Sequence, residues 1–508
     1  MRKSMDYSER IELLYQIFKD QLLQEKDDER RWLKMQDFIH FCWMNAPLRF
    51  SDPELEALIM QKRPNWNNDV IFSNDQRRFV YLASTLFEVG GHTRCLMNTI
   101  SHLPEQEHTV ILTRQYKNIP PAVSDFFTTH NVKVICLDKL DGLMKKVETI
   151  RKHILEIKPA KVFSFHHPDD LIPVLSITGS RSFQSVLYNH ADHVYSLGAH
   201  LFDKHIDFRK TGARISSLGK NVKAVNVVPL PLLKKETIMN ASISEKWEQY
   251  DYVVGTLTNI SKVKPYQNTE TILEVMMNLA HQYKNLLFLI IGIDTDTTEK
   301  SVGKKVPCNL KCLGVVPNPD AYYQKLDFFL EPFPVGSGLG ILEACQYGAI
   351  PLFGKHPVRL CSTFEVFHEE IQKMFDPELV ILKQEEQLQI HISKPKSDWH
   401  EYKEKFRSLI QEYHNGVTWK NSFLNDGGSI LDSKTSEGNQ DWLKEEALFF
   451  QTYMEKNDKQ LLSHLLGLKK LVNRKILLKL LFSSKLQFSI QSALSENRGR
   501  FIHRLVKG

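Results

Sequence analysis

The sequence predicts an α/β protein built mainly from two doubly wound domains, each with a sheet of parallel strands. Runs of β-branched and aromatic residues alternate with segments of helical periodicity between about residues 69 and 354, which is the pattern of parallel sheets. Glycine-rich or polar segments follow several of these runs, where open sheets carry their ligand sites. At 508 residues, 42% hydrophobic and 25% charged, the chain is long and apolar enough for two or three globular domains.

The first 64 residues precede this alternation and are predicted to be helical. Ile11, Leu14, Tyr15 and Phe18 have the spacing of one helix face. We therefore predict a helical N-terminal extension over residues 1–64.

Two sets of strands and helices follow the extension. The first contains the strand-like runs FVYLAST, VILTR, VKVICL, KVFSF and SVLYN, and predicts a Rossmann-like domain over residues 65–235. The second contains YVVGTLTNI, LLFLIIG, LKCLG and PLF, and predicts another Rossmann-like domain over residues 236–375. We place a helical return segment over residues 376–425.

The C-terminal part of the chain is compositionally distinct. Residues 426–441 are rich in Gly, Ser and Asp and lack an apolar period, which predicts a linker or exposed loop. Residues 442–508 form a basic helical region. Its last fifty residues contain eleven Lys and Arg against one Glu, a net charge of +10 in a chain of +6. Such an end could contact nucleic acid, anionic lipid or an acidic partner.

A buried helix is the other interpretation of this region, and the one we favour. The basic residues of LLSHLLGLKKLVNRKILLKLLF surround the helix instead of forming one stripe. Elsewhere no apolar run approaches a membrane span, and the charged N-terminus lacks the apolar centre of a signal peptide. We expect a cytoplasmic protein, with peripheral contact at the inner membrane face as an option and no nucleic-acid partner.

The segment EPFPVGSGLGILEACQYGAIPLF, residues 331–353, has the pattern of a nucleotide site. A strand-like run leads into a glycine-rich turn, and a helical run follows. Backbone N–H groups at such a turn and helix N-terminus favour a diphosphate. Glu343, in the first turns of the helix, can accept hydrogen bonds from a ribose hydroxyl pair. The residues predicted here to bind the donor are Gly336, Ser337, Gly338, Leu339 and Glu343.

This segment resembles the sugar-nucleotide signature of GT-B glycosyltransferases, of the bacterial family 1 and family 4 group. Its Pro-Phe-Pro, glycine-rich loop and Leu-Glu-Ala occur here at 332–334, 336–340 and 342–344, and Gly348, Ala349, Ile350 and Pro351 follow where the signature has Gly-x-Pro. The resemblance implies GT-B architecture, with two Rossmann-like domains facing a cleft, the first on the acceptor side and the second holding the nucleotide-sugar. Many retaining members carry a second glutamate eight positions before the helix glutamate, where this chain has Val335.

The first domain opens with a strand and a Gly-Gly-His loop, as its counterpart in GT-B glycosyltransferases does. The resemblance implies that this loop, with Gly90, Gly91, His92 and Arg94, lies beside the donor diphosphate and the acceptor. Two glycines also allow close approach of a ligand to the backbone, although they can serve only to turn the chain.

A polar cluster follows the run SVLYN, at the carboxyl end of a predicted parallel strand. Several bacterial GT-B glycosyltransferases have a similar Asn-His-Ala-Asp-His string, here residues 189–193. We predict His190, Asp192 and His193 as catalytic residues, because a histidine can take a proton from an acceptor hydroxyl and a neighbouring Asp can fix its tautomer. A metal site is the rival interpretation. We expect no metal there, because the string lacks further clustered ligands and GT-B enzymes commonly work without one.

Three further residues of the second domain are assigned by the same resemblance. Related enzymes place an Arg and a Lys after the first strand of this domain to neutralise the departing diphosphate. This chain has Thr256 at the Arg position, and Lys262 or Lys264 for the Lys. Val316 lies in a segment that resembles the base-recognition loop, where its backbone would meet a uridine base.

The resulting hypothesis is a metal-independent glycosyltransferase that moves a sugar from a nucleotide-sugar, expected to be a UDP-sugar, to a hydroxyl-bearing acceptor. The nucleotide-sugar is a substrate, so no cofactor is expected. The acceptor could be a protein, a glycan, a lipid or a small molecule. Two alternatives stay open: a non-catalytic GT-B subunit that binds an acceptor or a partner enzyme, and a sugar-nucleotide epimerase.

Overall fold

The computed structural model describes most of the chain. The described residues are 6–66, 77–88, 90–179, 182–233, 247–265, 269–316, 318–353, 386, 388, 389, 392, 400–413, 416–424, 429–430, 438–456, 458–468 and 471. Most of the predicted linker at 426–441, much of the predicted return segment and the basic residues after 471 lie outside them.

Thirteen strands occur in the described ranges. They are β1 (Arg78–Ala83), β2 (Glu107–Leu112), β3 (Lys133–Cys136), β4 (Lys161–Phe165), β5 (Gln184–Tyr188), β6 (Lys204–Asp207), β7 (Val225–Val227), β8 (Tyr252–Leu257), β9 (Leu286–Ile291), β10 (Leu310–Cys312), β11 (Phe328–Leu330), β12 (Ile350–Leu352) and β13 (Ser429–Ile430).

Sixteen α-helices are described, with short 3₁₀ turns at Ala199–Leu201 and Ile260–Lys262. The helices are α1 (Tyr7–Gln24), α2 (Asp28–Asn45), α3 (Pro53–Lys62), α4 (Gly91–Ser101), α5 (Pro121–Thr129), α6 (Leu143–Ile157), α7 (Leu171–Ile177), α8 (Lys210–Gly219), α9 (Ile272–Gln282), α10 (Thr295–Val302), α11 (Asp320–Tyr323), α12 (Leu339–Gln346), α13 (His400–Tyr413), α14 (Gly416–Leu424), α15 (Gly438–Met454) and α16 (Asp458–Gly467).

The strands form two sheets, as the sequence predicts for a doubly wound α/β protein. The first sheet has the order β13-β7-β6-β5-β4-β1-β2-β3, and all its pairs are parallel except that of β13 with β7. The second has the order β10-β9-β8-β11-β12 and is entirely parallel. In each sheet the strand order reverses beside its first strand, between β1 and β4 or between β8 and β11, which defines the topological switch point.

The chain divides into two compact units, one for each sheet. Unit 1 comprises Met1–Phe87, Pro104–Val227 and Ser429–Gly508, and unit 2 comprises Glu88–Leu103 and Val228–Gly428. This division differs from the predicted domains at three places: the N-terminal helices and the C-terminal region group with the first sheet, and helix α4 groups with the second.

The N-terminal helices group with unit 1 because they share its core. Leu14 of α1, Trp32 of α2 and Ile59 of α3 belong to the same buried cluster as Val80 of β1 and Val162 of β4. Each of these side chains is at most 1% exposed. The apolar residues whose spacing predicts these helices therefore form part of the core that covers the first sheet.

The start of the C-terminal region is also part of this core. Four leucines of and after α16 lie in the same cluster with at most 2% exposure: Leu461, Leu465, Leu468 and Leu471. The described part of this region up to residue 471 therefore packs against the rest of unit 1, which is the interpretation favoured from the sequence. In the described part of the chain, no helix combines the length and apolarity needed to cross a membrane.

Replacing Leu465 by Ala is expected to lower the free energy of unfolding of unit 1 by about 3 kcal/mol, because it leaves a cavity in a fully buried cluster. Urea unfolding of the full chain measures the change. Leu448→Ala is the matched control, since Leu448 is 50% exposed and its replacement should change stability by less than about 0.5 kcal/mol. Equal effects of the two substitutions would contradict a packed α16.

Candidate functional site

The glycine-rich turn of unit 2 lies at the switch point of the second sheet. β8 and β11 are parallel neighbours, so the segments that follow them emerge at the same edge. The turn follows β11, and the 3₁₀ turn Ile260–Lys262 follows β8. Open α/β sheets bind their ligands outside this edge, where the strand order reverses.

The turn ends in a helix N-terminus that suits an anion. Gly338 is the N-cap of α12 and has φ +48° and ψ −100°, a conformation that favours glycine. No described side chain caps this helix. The N–H of Gly340 donates to the carbonyl of Ser337 at 3.0 Å. The other N–H groups of the first turn have no intrahelical acceptor, because they lie at a helix start, and the helix dipole places partial positive charge at the same point.

The lysine predicted to act on the diphosphate contacts the turn itself. Lys262 Nζ lies 3.2 Å from the carbonyl oxygen of Gly336 and donates to it. This contact brings the amino group of Lys262 to the glycine turn. Burial lowers the pKa of Lys264, the other predicted lysine, below its usual value. The action of either lysine on a diphosphate stays a prediction.

Glu343 is buried and pairs with Arg94, which is predicted from the sequence to belong to the Gly-Gly-His loop. It is 4% exposed, and its Oε1 lies 3.3 Å from Nε of Arg94 on α4. The ion pair is possible because α4 belongs to unit 2, where Asn98 and His102 also donate to the carbonyls of Pro231 and Leu232. Buried charged groups are usually paired, because an unpaired buried charge is strongly destabilising.

The other residues of the Gly-Gly-His loop lie at the start of α4. Gly90 is its N-cap and has an extended backbone, with φ 175°, and no described side chain caps this helix either. A β-carbon on Gly91 would meet nothing within 4 Å. His92 is half-buried one position later. The loop therefore offers open space at a second helix N-terminus of unit 2, and its predicted ligand contacts stay a prediction.

Tyr323 is a site residue that the sequence analysis did not single out. Its side chain is fully buried, and its hydroxyl has no hydrogen-bond partner among the described residues. The hydroxyl lies 3.3 Å from the place that a β-carbon on Gly340 would occupy. Burial, together with the charge of Glu343, raises the pKa of Tyr323 well above its usual value, so the hydroxyl stays protonated and can donate. In the sequence this tyrosine cannot be distinguished from an ordinary core aromatic.

Three further predicted donor residues follow strands of the second sheet at their carboxyl edge. Ser337 has a hydroxyl that is buried and without a hydrogen-bond partner in the part of the chain described. Val316 is half-buried and follows β10, at the same carboxyl edge as the glycine turn. Leu339 is the first residue of α12 and is buried. Val335, at the position of the family's second glutamate, is 9% exposed.

In unit 1, Asp192 forms a buried ion pair. Its two carboxylate oxygens accept from Nε and Nη2 of Arg209, both at 2.8 Å, and Nδ1 of His193 lies 3.1 Å from Oδ1. Asp192 has no exposed surface and Arg209 is 3% exposed. The paired guanidinium and the hydrogen bonds hold the pKa of Asp192 well below its usual range, although burial opposes this. The aspartate predicted to serve a catalytic histidine therefore contacts His193 and is anchored by Arg209.

His190 lies in a small pocket at the carboxyl edge of the first sheet. The pocket is lined by side chains that include His166, Pro168, Asn189, His190, Leu197 and Phe202. The side chain of Asn189 is held in place, because its amide donates to Asp207 at 2.8 Å and to Ser216 at 3.2 Å. His190, one of the three predicted catalytic residues, thus lines this pocket.

The switch point of the first sheet is occupied by a hydrogen-bonded network. Ser84, after β1, donates to Asp170 at 2.6 Å, and Arg114 binds Asp169 at 2.7 Å. Asp169 also accepts from Nδ1 of His40, on helix α2, at 2.9 Å. These contacts hold the pKa of Asp169 well below its usual range. The two aspartates after β4 thus bind side chains that follow β1 and β2 and a histidine of helix α2.

A metal site at the 189–193 string was the rival interpretation. In the described ranges, no group of three or more His, Cys, Asp or Glu side chains is arranged to hold a metal ion.

Comparison with known proteins gives structural similarities only. No protein-family model and no curated protein matches the sequence. A structure of HepE from Anabaena in complex with UDP and glucose is similar at 13% identity and a TM-score of 0.49, over 68% of this chain and 98% of that one. An O-GlcNAc transferase from Thermobaculum terrenum is similar at 13% identity and a TM-score of 0.47, over 87% and 82%. A UDP-GlcNAc 2-epimerase from Neisseria meningitidis, bound to UDP-GlcNAc, is similar at 13% identity and a TM-score of 0.45, over 68% and 99%.

Proposed function

We propose that the protein is a GT-B glycosyltransferase that transfers a sugar from a nucleotide-sugar, with UDP as the expected nucleotide, to a hydroxyl-bearing acceptor without a metal. One observation carries the proposal: an uncapped helix N-terminus, a glycine turn contacted by Lys262 and a buried carboxylate at Glu343 lie together at the switch point of the second sheet. This set matches the needs of a nucleoside diphosphate, with N–H groups for phosphates and a carboxylate for ribose hydroxyls.

In the proposed reaction, the bond between the anomeric carbon and the diphosphate oxygen breaks, and a bond to the acceptor oxygen forms. The negative charge that grows on the diphosphate is stabilised by the amides of α12 and by Lys262. His190 takes the proton from the acceptor hydroxyl, as a neutral imidazole can near neutral pH. Asp192, which Arg209 anchors, holds His193 in place.

The test is nucleotide release from a panel of UDP-, GDP- and ADP-sugars, measured with the purified full chain. We expect release from one donor, loss of that release in Glu343→Ala and His190→Ala, and no loss in His153→Ala, a histidine outside both sites. Interconversion of the donor sugar without release would instead identify an epimerase.

A non-catalytic subunit is the second candidate, and the buried Val335 favours it because the family's usual second glutamate is missing. Nucleotide binding without release from any donor, in the presence of a broad acceptor panel, would support this candidate. Absence of both nucleotide binding and release would overturn the donor site itself.

A further inference from the structure

Five side chains of unit 1 form a cluster of adjacent rings, which we call the aromatic row. The rings of Phe87, Trp43 and His190 all lie next to His167, and the fifth ring, that of His40, lies next to Trp43. The ring of His167 stacks on Phe87 with centroids 6.0 Å apart and an angle of 15° between the planes. The same ring lies 6.0 Å from Trp43 and 6.2 Å from His190. Trp43 in turn lies 5.8 Å from His40.

The aromatic row lies at the carboxyl edge of the first sheet and reaches solvent. Phe87 comes after β1, while His167 and His190 follow β4 and β5, which are neighbours in the sheet. Phe87 is 45% exposed, and the other four members are half-buried. His190 also lines the pocket described above, so the row and the pocket are continuous.

A group of buried charged side chains supports the row. Asp169 fixes His40 at 2.9 Å and is bound by Arg114 at 2.7 Å, and Arg114 also lies 3.6 Å from Asp170, so two carboxylates face one guanidinium. The surface therefore combines apolar ring faces with imidazole nitrogens, and Asp169, Asp170 and Arg114 together provide no surplus positive charge. A phosphate-rich ligand would need surplus cations, and a purely apolar one would leave the imidazole nitrogens without water.

We propose that the aromatic row binds an uncharged pyranose ring and is the site at which a carbohydrate acceptor is held. The C–H groups on one face of a sugar are attracted to the negative face of an aromatic ring, and its hydroxyls can donate to or accept from imidazole nitrogens. The role as acceptor site rests on the proposed function, whereas the binding of a sugar does not. Helix α2 would then supply Trp43 and His40 to substrate recognition.

The experiment is binding of chitotetraose, cellotetraose and maltotetraose to the full chain, measured by saturation-transfer NMR and titration in the absence of any nucleotide. We expect one of these oligosaccharides to bind and Trp43→Ala to weaken its binding about tenfold, the typical effect of removing one stacking ring. Phe87→Ala should also weaken it. Phe126→Ala is the matched control, because Phe126 stacks on His130 outside the row and should leave binding unchanged.

The possible outcomes separate this inference from the proposed function. Oligosaccharide binding that depends on Trp43 supports the row as a sugar site whether or not the protein releases nucleotide. Nucleotide release from a donor together with no oligosaccharide binding, or with binding that Trp43→Ala and Phe87→Ala leave unchanged, overturns the inference and leaves the proposed function intact. Circular dichroism of each variant confirms that the loss of binding is local.

Discussion

Glu343→Gln is expected to weaken the binding of UDP by between about tenfold and a hundredfold. The carboxylate is buried at the first turns of α12, where it would accept hydrogen bonds from both ribose hydroxyls. Hydrogen bonds to a charged group contribute about 1.5–3 kcal/mol each, and the amide of Gln cannot replace both acceptors. Isothermal titration calorimetry of the full chain with UDP measures the change.

Two controls accompany this prediction: one changes the ligand, and the other changes a different glutamate of the protein. The 2′,3′-dideoxy analogue of UDP lacks both hydroxyls, so it should bind the wild type and Glu343→Gln with equal, weak affinity. Glu270→Gln changes an exposed glutamate of the same unit and should leave UDP binding unchanged. If the dideoxy analogue lost as much affinity as UDP on substitution, Glu343 would act through the fold of α12 instead of the ribose.

Asp192→Asn is expected to lower the free energy of unfolding by about 3–5 kcal/mol. The substitution leaves the buried guanidinium of Arg209 without its counter-charge, and breaking one side of a buried ion pair has costs of this size. Gly212→Ala should also destabilise the protein, because a β-carbon there would lie 2.0 Å from Asp192 Oδ2 and would displace the carboxylate. Urea unfolding measures both variants.

Gly467→Ala is the control for the glycine substitution, since a β-carbon at Gly467 meets nothing within 4 Å. The pH dependence gives a second readout. The pKa of Asp192 is lowered in the folded state, so its stabilisation is present above the ordinary carboxyl range and is lost as pH falls below about 4. The Asn variant should therefore lose less stability than the wild type on acidification. A loss below about 1 kcal/mol at neutral pH would contradict a stabilising pair.

Local patterns in the sequence were sufficient to predict the elements that carry the site. The run KVFSF, predicted as a strand, is β4. The glycine turn leads into α12 as its apolar run and helical spacing indicate. These features depend on residues close together in the chain, which is why periodicity and turn residues reveal them.

Contacts between distant residues were not predictable in the same way. Arg94 follows β1 in sequence, yet it pairs with Glu343, and only the packing of α4 in unit 2 brings the two together. Likewise Trp43 belongs to a segment predicted as an extension, although its ring lies against His167 after β4. Helical spacing shows that a face is apolar but not which surface covers it.

The central claim, that a nucleoside diphosphate binds at the glycine turn of unit 2, is tested most directly by hydrogen exchange of the full chain with and without UDP. We predict slower exchange of the amides in residues 336–343 and 258–262 on addition of UDP, and no such change with Glu343→Gln at the same UDP concentration. Protection confined to unit 1, or no protection anywhere at saturating UDP, would contradict the claim.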